Sequence, residues 1–417
     1  MTIGERPSAK ETANGEPVPS VEELVVRARA LVPYLKEKAA DADKRRSLSA
    51  ETVRKLFDAG LLRFFQPRRF GGWEMDWGTQ YFISKEIAHG CPSTAWIVSV
   101  VGQHTCHAAR FPKEAQEEVW SDSQDIIVAT SSVQRPGSSA VRVKGGFIVN
   151  GGYGFSSAID HSAWGLAVGA VEGEGPARYY FLMPRKDYDI EDVWHVIGMR
   201  GTGTKDLVVH EAFVPEYRAL LFSDFNGANP PGAVCNDGYI YAMEMGLHVH
   251  GSSPLGPVVG TAEAALADYL EITRDRVSAI LGSKVAESDA VHFRVSESAS
   301  EIHAADLIAR TDLQRLHERG KAGDHFNEQE MLELQRNRGF IAELCVRSVN
   351  RLVRMMGATG IFDENPLNRY FRDIHAMTTQ VGVAWDFTMP HWGRWALGVP
   401  ARGAAALPKA KDAGPPE

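Results

Sequence analysis

Cysteine is scarce in this sequence: four residues (Cys91, Cys106, Cys235 and Cys345) among 417, with no CxxC pair. That spacing argues against a structural zinc site, and reduced, mostly buried thiols are expected. Long apolar runs are missing too; none reaches the roughly 18 residues that a bilayer-crossing helix requires. Positive charge is in deficit, with 45 Lys and Arg against 53 Asp and Glu and a net charge of -8. Nucleic-acid proteins usually carry a basic stripe, so neither nucleic acid nor membrane is an expected partner. The opening segment MTIGERPSAKETANGEPVPS lacks the charged-then-apolar pattern of a secretory leader, and a cytoplasmic location is expected.

Alternation of strands and helices is also absent. Helical periodicity covers 21–39, a Ser49-capped segment ending at Gly60, 77–89 and 93–111, and Pro112 opens a further helix at its first position. From Asp125 the period changes to short β-rich runs, among them DIIVATSS, AVRVKGGFIVNGGYGFSS, ARYYFLMP and KDLVVHEAFVP. Two turn dipeptides flank FIV in VKGGFIVNGGYGF, which predicts a meander. The linker FNGANPPGAVCNDG leads back to helices at 261–279, 289–320, 328–356 and 366–385. The expected organisation is a flexible 1–18, a helical domain 19–124, a β-domain 125–230, a helical bundle 231–402 and a flexible tail 403–417. That order excludes a doubly wound α/β sheet, and GMRGTGTKD (198–206) sits between strand-like runs with no helix to receive a phosphate.

Several ordered stretches resemble the acyl-CoA dehydrogenase superfamily. They are RRFGGWEMDW (68–77), GCPSTAWIVSVVGQH (90–104), GYGFSSAIDH (152–161), VIGMRGTGTKDLVV (196–209), VPEYR (214–218) and NPLNRYFRDIHA (365–376). GCPSTAW and GFSS are more specific: they resemble the hydroxylase branch, the oxygenase components of p-hydroxyphenylacetate hydroxylase and of steroid-degrading phenol hydroxylases. The resemblance implies an α+β fold with an N-terminal helical domain, a central β-barrel and a C-terminal four-helix bundle. It implies a homotetramer whose flavin lies between β-domain and bundle, partly held by a neighbouring subunit. The activity implied is that of the oxygenase half of a two-component, flavin-dependent monooxygenase. Reduced FMN or FAD (FMNH2 or FADH2) would come from a separate flavin reductase, react with O2 to a C4a-hydroperoxyflavin, and hydroxylate a small phenol- or indole-like substrate.

The dehydrogenases carry a catalytic glutamate a short way beyond an Arg-Asp pair, here Arg372-Asp373. Counting on through IHAMTTQVGVAWD reaches Val381, between Gln380 and Gly382, and none of the three can act as a base. Asp386 is the nearest carboxylate. The hydroxylase branch often has a histidine here; this sequence has Gln380, which can hydrogen-bond a substrate but cannot take its proton. His375 and His391 are candidate stand-ins.

Other site residues follow from the same resemblance. A serine of GFSS lies near flavin N5, Ser157 being preferred over Ser156, with Phe155 packing on the ring system. Ser131 and Ser132, ending the preceding strand with Thr130, and Thr202 of the glycine loop are counted with the flavin. Arg276 and the turn Gly357–Gly360 are expected at its phosphate tail, an arginine fork being suited to phosphate. Trp96 and His104 are eight residues apart, on nearly one side of a helix, and are placed at the substrate. His248 and His250 join them; as a metal pair they lack a third ligand at a telling distance, so no metal is expected. Two other functions compete: an acyl-CoA dehydrogenase with bound FAD and a relocated base, and a catalytically silent scaffold, against which GYGFSS argues.

Overall fold

The computed structural model describes residues 15, 17–280 and 282–400. The expected flexible tail, and nearly all of the expected flexible N-terminus, lie outside them. Among the described residues five α-helices come first: α1 (Val21–Arg45), α2 (Ala50–Asp58), α3 (Thr79–Ala88), α4 (Pro92–Ala108) and α5 (Lys113–Val119). A capping box of Ser20 and Glu23 starts α1, and Ser49 Oγ accepts from Thr52 N at the start of α2. Pro112 turns out to be the residue before α5 rather than its first. Helix α4 is apolar on nearly every side, so it runs through the core with both ends packed.

The strands among the described residues follow: β1 (Val128–Ser131), β2 (Val133–Gln134), β3 (Ser139–Val143), β4 (Gly146–Ser156), β5 (Trp164–Ala170), β6 (Arg178–Pro184), β7 (Asp189–Glu191), β8 (Lys205–Pro215) and β9 (Ala219–Leu221). They do not close into the expected barrel. One sheet has the order β1-β5-β6-β9; the other runs β2-β4-β8-β7, with β3 also paired to β4. Phe147, Tyr153, Phe181, Met183 and Leu207 are buried between them. Closure needs edge strands long enough to pair, and β2, β7 and β9 have only two or three residues. The expected meander is corrected in part: Lys144-Gly145 does turn β3 into β4, but Asn150-Gly151 continues β4, with Gly151 at φ +104°, opposite a bulge whose extra residue is on β8, between Val209 and Ala212.

Short helices α6 (Phe222–Asn226), α7 (Tyr239–Ala242) and α8 (Leu247–His250) lead to α9 (Leu255–Arg274), α10 (Asp289–Ala322), α11 (Glu328–Met356), α12 (Pro366–Met377) and α13 (Trp385–Ala396). Helix α9 starts six residues earlier than expected, because Pro257 falls in its first turn, where a missing N–H is harmless. The segment expected as one helix over 366–385 is broken. Thr378 Oγ1 donates to Ile374 O and Thr379 Oγ1 to Ala376 O, and the chain turns through Gly382 before α13. Helix α9 packs on α3, α4 and α11, so the first and last helices share one core. Among the described residues no helix is long and apolar enough to cross a membrane.

Candidate active site

The end of β4 does not pair regularly with β8. Tyr153 faces Leu207 and Ser156 faces Lys205, so two residues on β4 oppose one on β8. At this bulge Phe155 takes φ +68°. The left-handed conformation costs a side-chain-bearing residue roughly 1–2 kcal/mol. Asp206 Oδ1 accepts the Phe155 N–H at 3.3 Å, and the Trp194 ring meets Phe155 edge-on at 6.1 Å. The result is a phenyl ring 62% exposed, turned outward from the sheet end. A bulge that re-aims one large apolar side chain is a device of binding sites.

Two residues on, Ser157 is buried in a run of hydroxyls. Its Oγ accepts from Trp96 Nε1 at 3.3 Å and lies 2.9 Å from Thr204 Oγ1. Thr204 Oγ1 is 2.7 Å from Thr202 Oγ1, which donates to Met199 O at 2.8 Å. The Met199 N–H donates to Asp373 Oδ1 at 2.6 Å. Burial pushes the Asp373 carboxyl up to about 6, against the backbone hydrogen bond and the nearby Arg369 and Arg372. Trp96, expected at the substrate, and Ser157 and Thr202, expected at the flavin, are thus brought together; Thr204 and Asp373 were not among the expected site residues. Ser131 Oγ donates to Gly154 O at 2.5 Å, tying the two sheets beside the bulge. Ser156 Oγ and Thr130 Oγ1 are buried with no hydrogen-bond partner among the described residues. Ser132 is exposed and offers its carbonyl to Arg178.

On the same helix as Trp96, His104 Nδ1 lies 2.9 Å from Val128 O. A carbonyl only accepts, so the ring proton sits on Nδ1 and Nε2 carries a lone pair. Burial lowers His104 to about 4, so the ring is neutral at pH 7. Beside it lie His107 and His250. The Gln103 amide nitrogen is 2.7 Å from His250 Nδ1 and 3.2 Å from His107 Nε2, and His250 Nε2 is 3.1 Å from Asn226 Oδ1. Asn226 Oδ1 accepts from His250 Nε2 and the amide donates to His250 Nδ1, which also lies 3.3 Å from His107 Nε2. His107 Nδ1 has no partner among the described residues. His107 went unnoticed in the sequence, although it lies one helical turn beyond His104.

His248 Nε2 is likewise buried and unpartnered. The carbonyl of His248 accepts from Arg338 Nη1 at 3.1 Å, and Arg338 Nε donates to Gly382 O at 2.9 Å. This guanidinium is almost wholly buried, and desolvation lowers it to about 10. Its place between Leu334 and Ile341 on the buried stripe of α11 is the signal that could have found it. It ties α8 to the turn at 378–384, where the dehydrogenase base would fall. There Gln380 Oε1 accepts from Gly382 N at 2.6 Å, and Val381 is 43% exposed.

The remaining candidates lie elsewhere. Arg276 Nη2 donates to Met356 O at 2.8 Å, beside Gly357, so Arg276, Gly357 and Gly360 share one end of α11. Gly357, at φ 63° and ψ -148°, occupies a region essentially closed to other residues. His375 faces α11, its Nε2 2.8 Å from Asn350 Oδ1, and His391 packs on Phe387. Among the described residues no three His, Cys, Asp or Glu side chains are placed to hold a metal ion.

An outward aromatic ring, orphaned hydroxyls at Ser156 and Thr130, and a strand end linked to an apolar helix fit a flat, polar-edged ring system such as a flavin. The class is set by two family models: the acyl-CoA dehydrogenase N-terminal domain matches residues 22–122 and its C-terminal domain residues 255–385. Within it, the flavin-dependent monooxygenase oxygenase subunit HsaA of Rhodococcus jostii (strain RHA1) is 33% identical over 353 residues, 84% of this chain and 92% of that protein. The FADH(2)-dependent resorcinol hydroxylase oxygenase component of Rhizobium sp. (strain MTP-10005) is 29% identical, over 91% of this chain and 95% of its own. The crystal structure of 3-HSA hydroxylase from Rhodococcus sp. RHA1 superposes with a TM-score of 0.85 at 31% identity, covering 91% of this chain and 98% of that one. The chain belongs to the flavin-dependent monooxygenases of the acyl-CoA dehydrogenase superfamily, as an oxygenase component.

Proposed function

We propose that this oxygenase takes reduced FMN or FAD from a separate, diffusible reductase and hydroxylates a small phenol- or indole-like substrate. The observation that carries the reading is the bulge at Phe155, which turns an aromatic ring outward two residues before the hydroxyl held by Trp96. Reduced flavin supplies the reaction with O2 that places one oxygen atom on the substrate and releases the other as water. Phe155 packs against its ring system, Ser157 meets its N5 edge, and Ser156, Ser131 and Thr130 bind its polar rim. Ser132 and Thr202 stand behind these contacts.

The substrate sits between this edge and the histidines of α4 and α8. His104, its proton committed to the Val128 carbonyl, offers the Nε2 lone pair to a substrate O–H or N–H. Being neutral, it orients and polarises that bond without adding a positive charge. His248, His250 and Trp96 line the remaining walls. Gln380 folds back on Gly382 and braces the turn that closes the pocket, with His375 and His391 behind it. Arg276 and the Gly357–Gly360 turn form a second half-site that serves the flavin tail of a neighbouring subunit in a homotetramer built around a C-terminal four-helix bundle. A cytoplasmic setting, where reduced flavin is produced, suits this chemistry.

The test is to mix the purified chain with photoreduced FMN or FAD, then O2, and screen phenols and indoles for hydroxylated product. Product formed with O2 and without NADH or NADPH supports the reading. Protein that purifies with oxidised FAD and is bleached by an acyl-CoA would instead establish a dehydrogenase.

A further inference from the structure

We propose that Thr202 and Thr204 set the direction of the Ser157 hydroxyl, and through it make the site prefer reduced over oxidised flavin. The inference rests on the reading above, in which Ser157 meets flavin N5. It concerns which partner of that hydrogen bond carries the proton.

Four oxygens lie in line: Met199 O, Thr202 Oγ1, Thr204 Oγ1 and Ser157 Oγ, at successive separations of 2.8, 2.7 and 2.9 Å. The first is a carbonyl and can only accept. Each hydroxyl owns one proton. All three side chains are buried, so a proton without an acceptor is costly. One order places every proton inside the protein: Thr202 donates to Met199 O, Thr204 donates to Thr202, and Ser157 donates to Thr204. Trp96 Nε1–H already donates to Ser157 Oγ. In this order Ser157 has no proton left for a ligand and shows it only a lone pair.

Reduced flavin bears a hydrogen on N5 and can donate it to that lone pair. Oxidised flavin has an unprotonated N5 and needs a donor. Ser157 becomes one only if the row reverses, with Thr202 turned to Thr204, Thr204 to Ser157, and Ser157 outward. Reversal gives up the Thr202 bond to Met199 O. That carbonyl is well held: it also accepts from Trp194 Nε1 at 3.0 Å, and its residue's N–H is fixed by Asp373. The preference for reduced flavin is therefore about one hydrogen bond, a ratio of roughly three- to tenfold. Thr202 and Thr204 act as positioning residues, through Ser157.

The test uses the full chain and anaerobic equilibrium titration with the reduced and the oxidised form of each flavin, FMN and FAD. Its readout is the ratio of the two dissociation constants. Thr202→Val keeps the shape and removes the anchor, leaving Thr204 to donate to Ser157. The ratio is expected to fall roughly three- to tenfold, because oxidised flavin binds better and reduced flavin worse. Thr202→Ser restores the wild-type ratio. Thr204→Val, which frees the Ser157 proton directly, moves the ratio the same way and serves if Thr202→Val folds poorly. An unchanged ratio, or equal loss of both affinities, overturns the proposal. Ser157→Ala separates the two levels: if it leaves both flavin affinities untouched, the placement of flavin at Ser157 is what fails.

Discussion

Acid should unfold this protein early, and the histidines around α4 and α8 are the reason. Burial lowers His104 to about 4 and His248 to about 3, and pushes His107 well below its ordinary value, with the nearby His250, His104 and Arg110 adding to the effect on His107. His250, half-buried, is lowered to about 3 by desolvation and by Arg110 and its histidine neighbours. The folded pKa is depressed in each case, so the neutral ring's contribution is full above the unfolded value and is lost as pH falls. A ring that stays neutral in the fold but titrates near 6.5 when unfolded loses about 1.4 kcal/mol between about pH 7.5 and about pH 5.5. For the three fully buried rings this comes to about 4 kcal/mol, and His250 adds up to about one more. Two buried carboxyls work the other way. Asp312 and Asp373 are both raised to about 6, and each returns a little under about 1 kcal/mol over the same interval. The net loss is about 2 to 4 kcal/mol, a large part of a typical folding free energy. Urea titration followed by tryptophan fluorescence at both pH values measures it, and His107→Gln should remove about 1.4 kcal/mol of it, roughly half of the net pH dependence. Stability flat across this interval, or a dependence indifferent to His107→Gln, would refute the reasoning.

Phe155→Ala should weaken flavin binding at least roughly tenfold, since it removes an exposed ring and its stacking area, while stability changes by less than about 1 kcal/mol. Flavin titration and thermal unfolding on the same samples check both halves. Asp373→Asn should stabilise the protein above about pH 6, by up to about 3 kcal/mol, because the raised carboxyl is costly to ionise while an amide oxygen still accepts the Met199 N–H. The sign follows from a folded pKa above the unfolded one: its stabilising share is present below about 4 and lost as pH rises through about 6. The variant and wild type should therefore converge in acid, which denaturation midpoints across pH will show.

The sequence showed most of the helices because their caps and periodicity are local. Ser49 marks a start that the fold uses as written, and the structure adds capping boxes of Ser20 with Glu23 and Asn327 with Glu330. What it hid depends on partners distant in the chain. Asn150-Gly151 has the composition of a hairpin turn, yet stays within β4 because β8 lies alongside, where His210 and Glu211 bulge opposite Asn150 and Asn150 Oδ1 takes the Glu211 N–H. The barrel expectation failed on strand length, which is set by where pairing stops. In the site, GYGFSS could be found by its phrase, but Thr204 joins Ser157 only across 47 residues of chain. His107 and Arg338 were passed over because polar residues on buried stripes are easily taken for interruptions, whereas here their partners are carbonyls, amides and other rings.

The Arg372-Asp373 pair, which in the dehydrogenases stands shortly before the catalytic glutamate, has a different task here. Arg372 pairs with Asp43 at 3.2 Å and donates to Ile197 O at 2.9 Å, while Asp373 holds Met199 N. Gly198 lies between those two contacts, with the Arg372 carbonyl 2.0 Å from where a Cβ would stand, so the loop and α12 meet backbone to backbone. The same loop supplies Thr202 and Thr204 to Ser157. Beyond Met377 the helix ends, and Gln380 is spent on closing a turn. Here α12 acts as a clamp on the loop that carries Thr202 and Thr204. Hydrogen bonds tie α12 to the loop that supplies the hydroxyl row, a role that needs an acceptor oxygen at 373 and no base at 381.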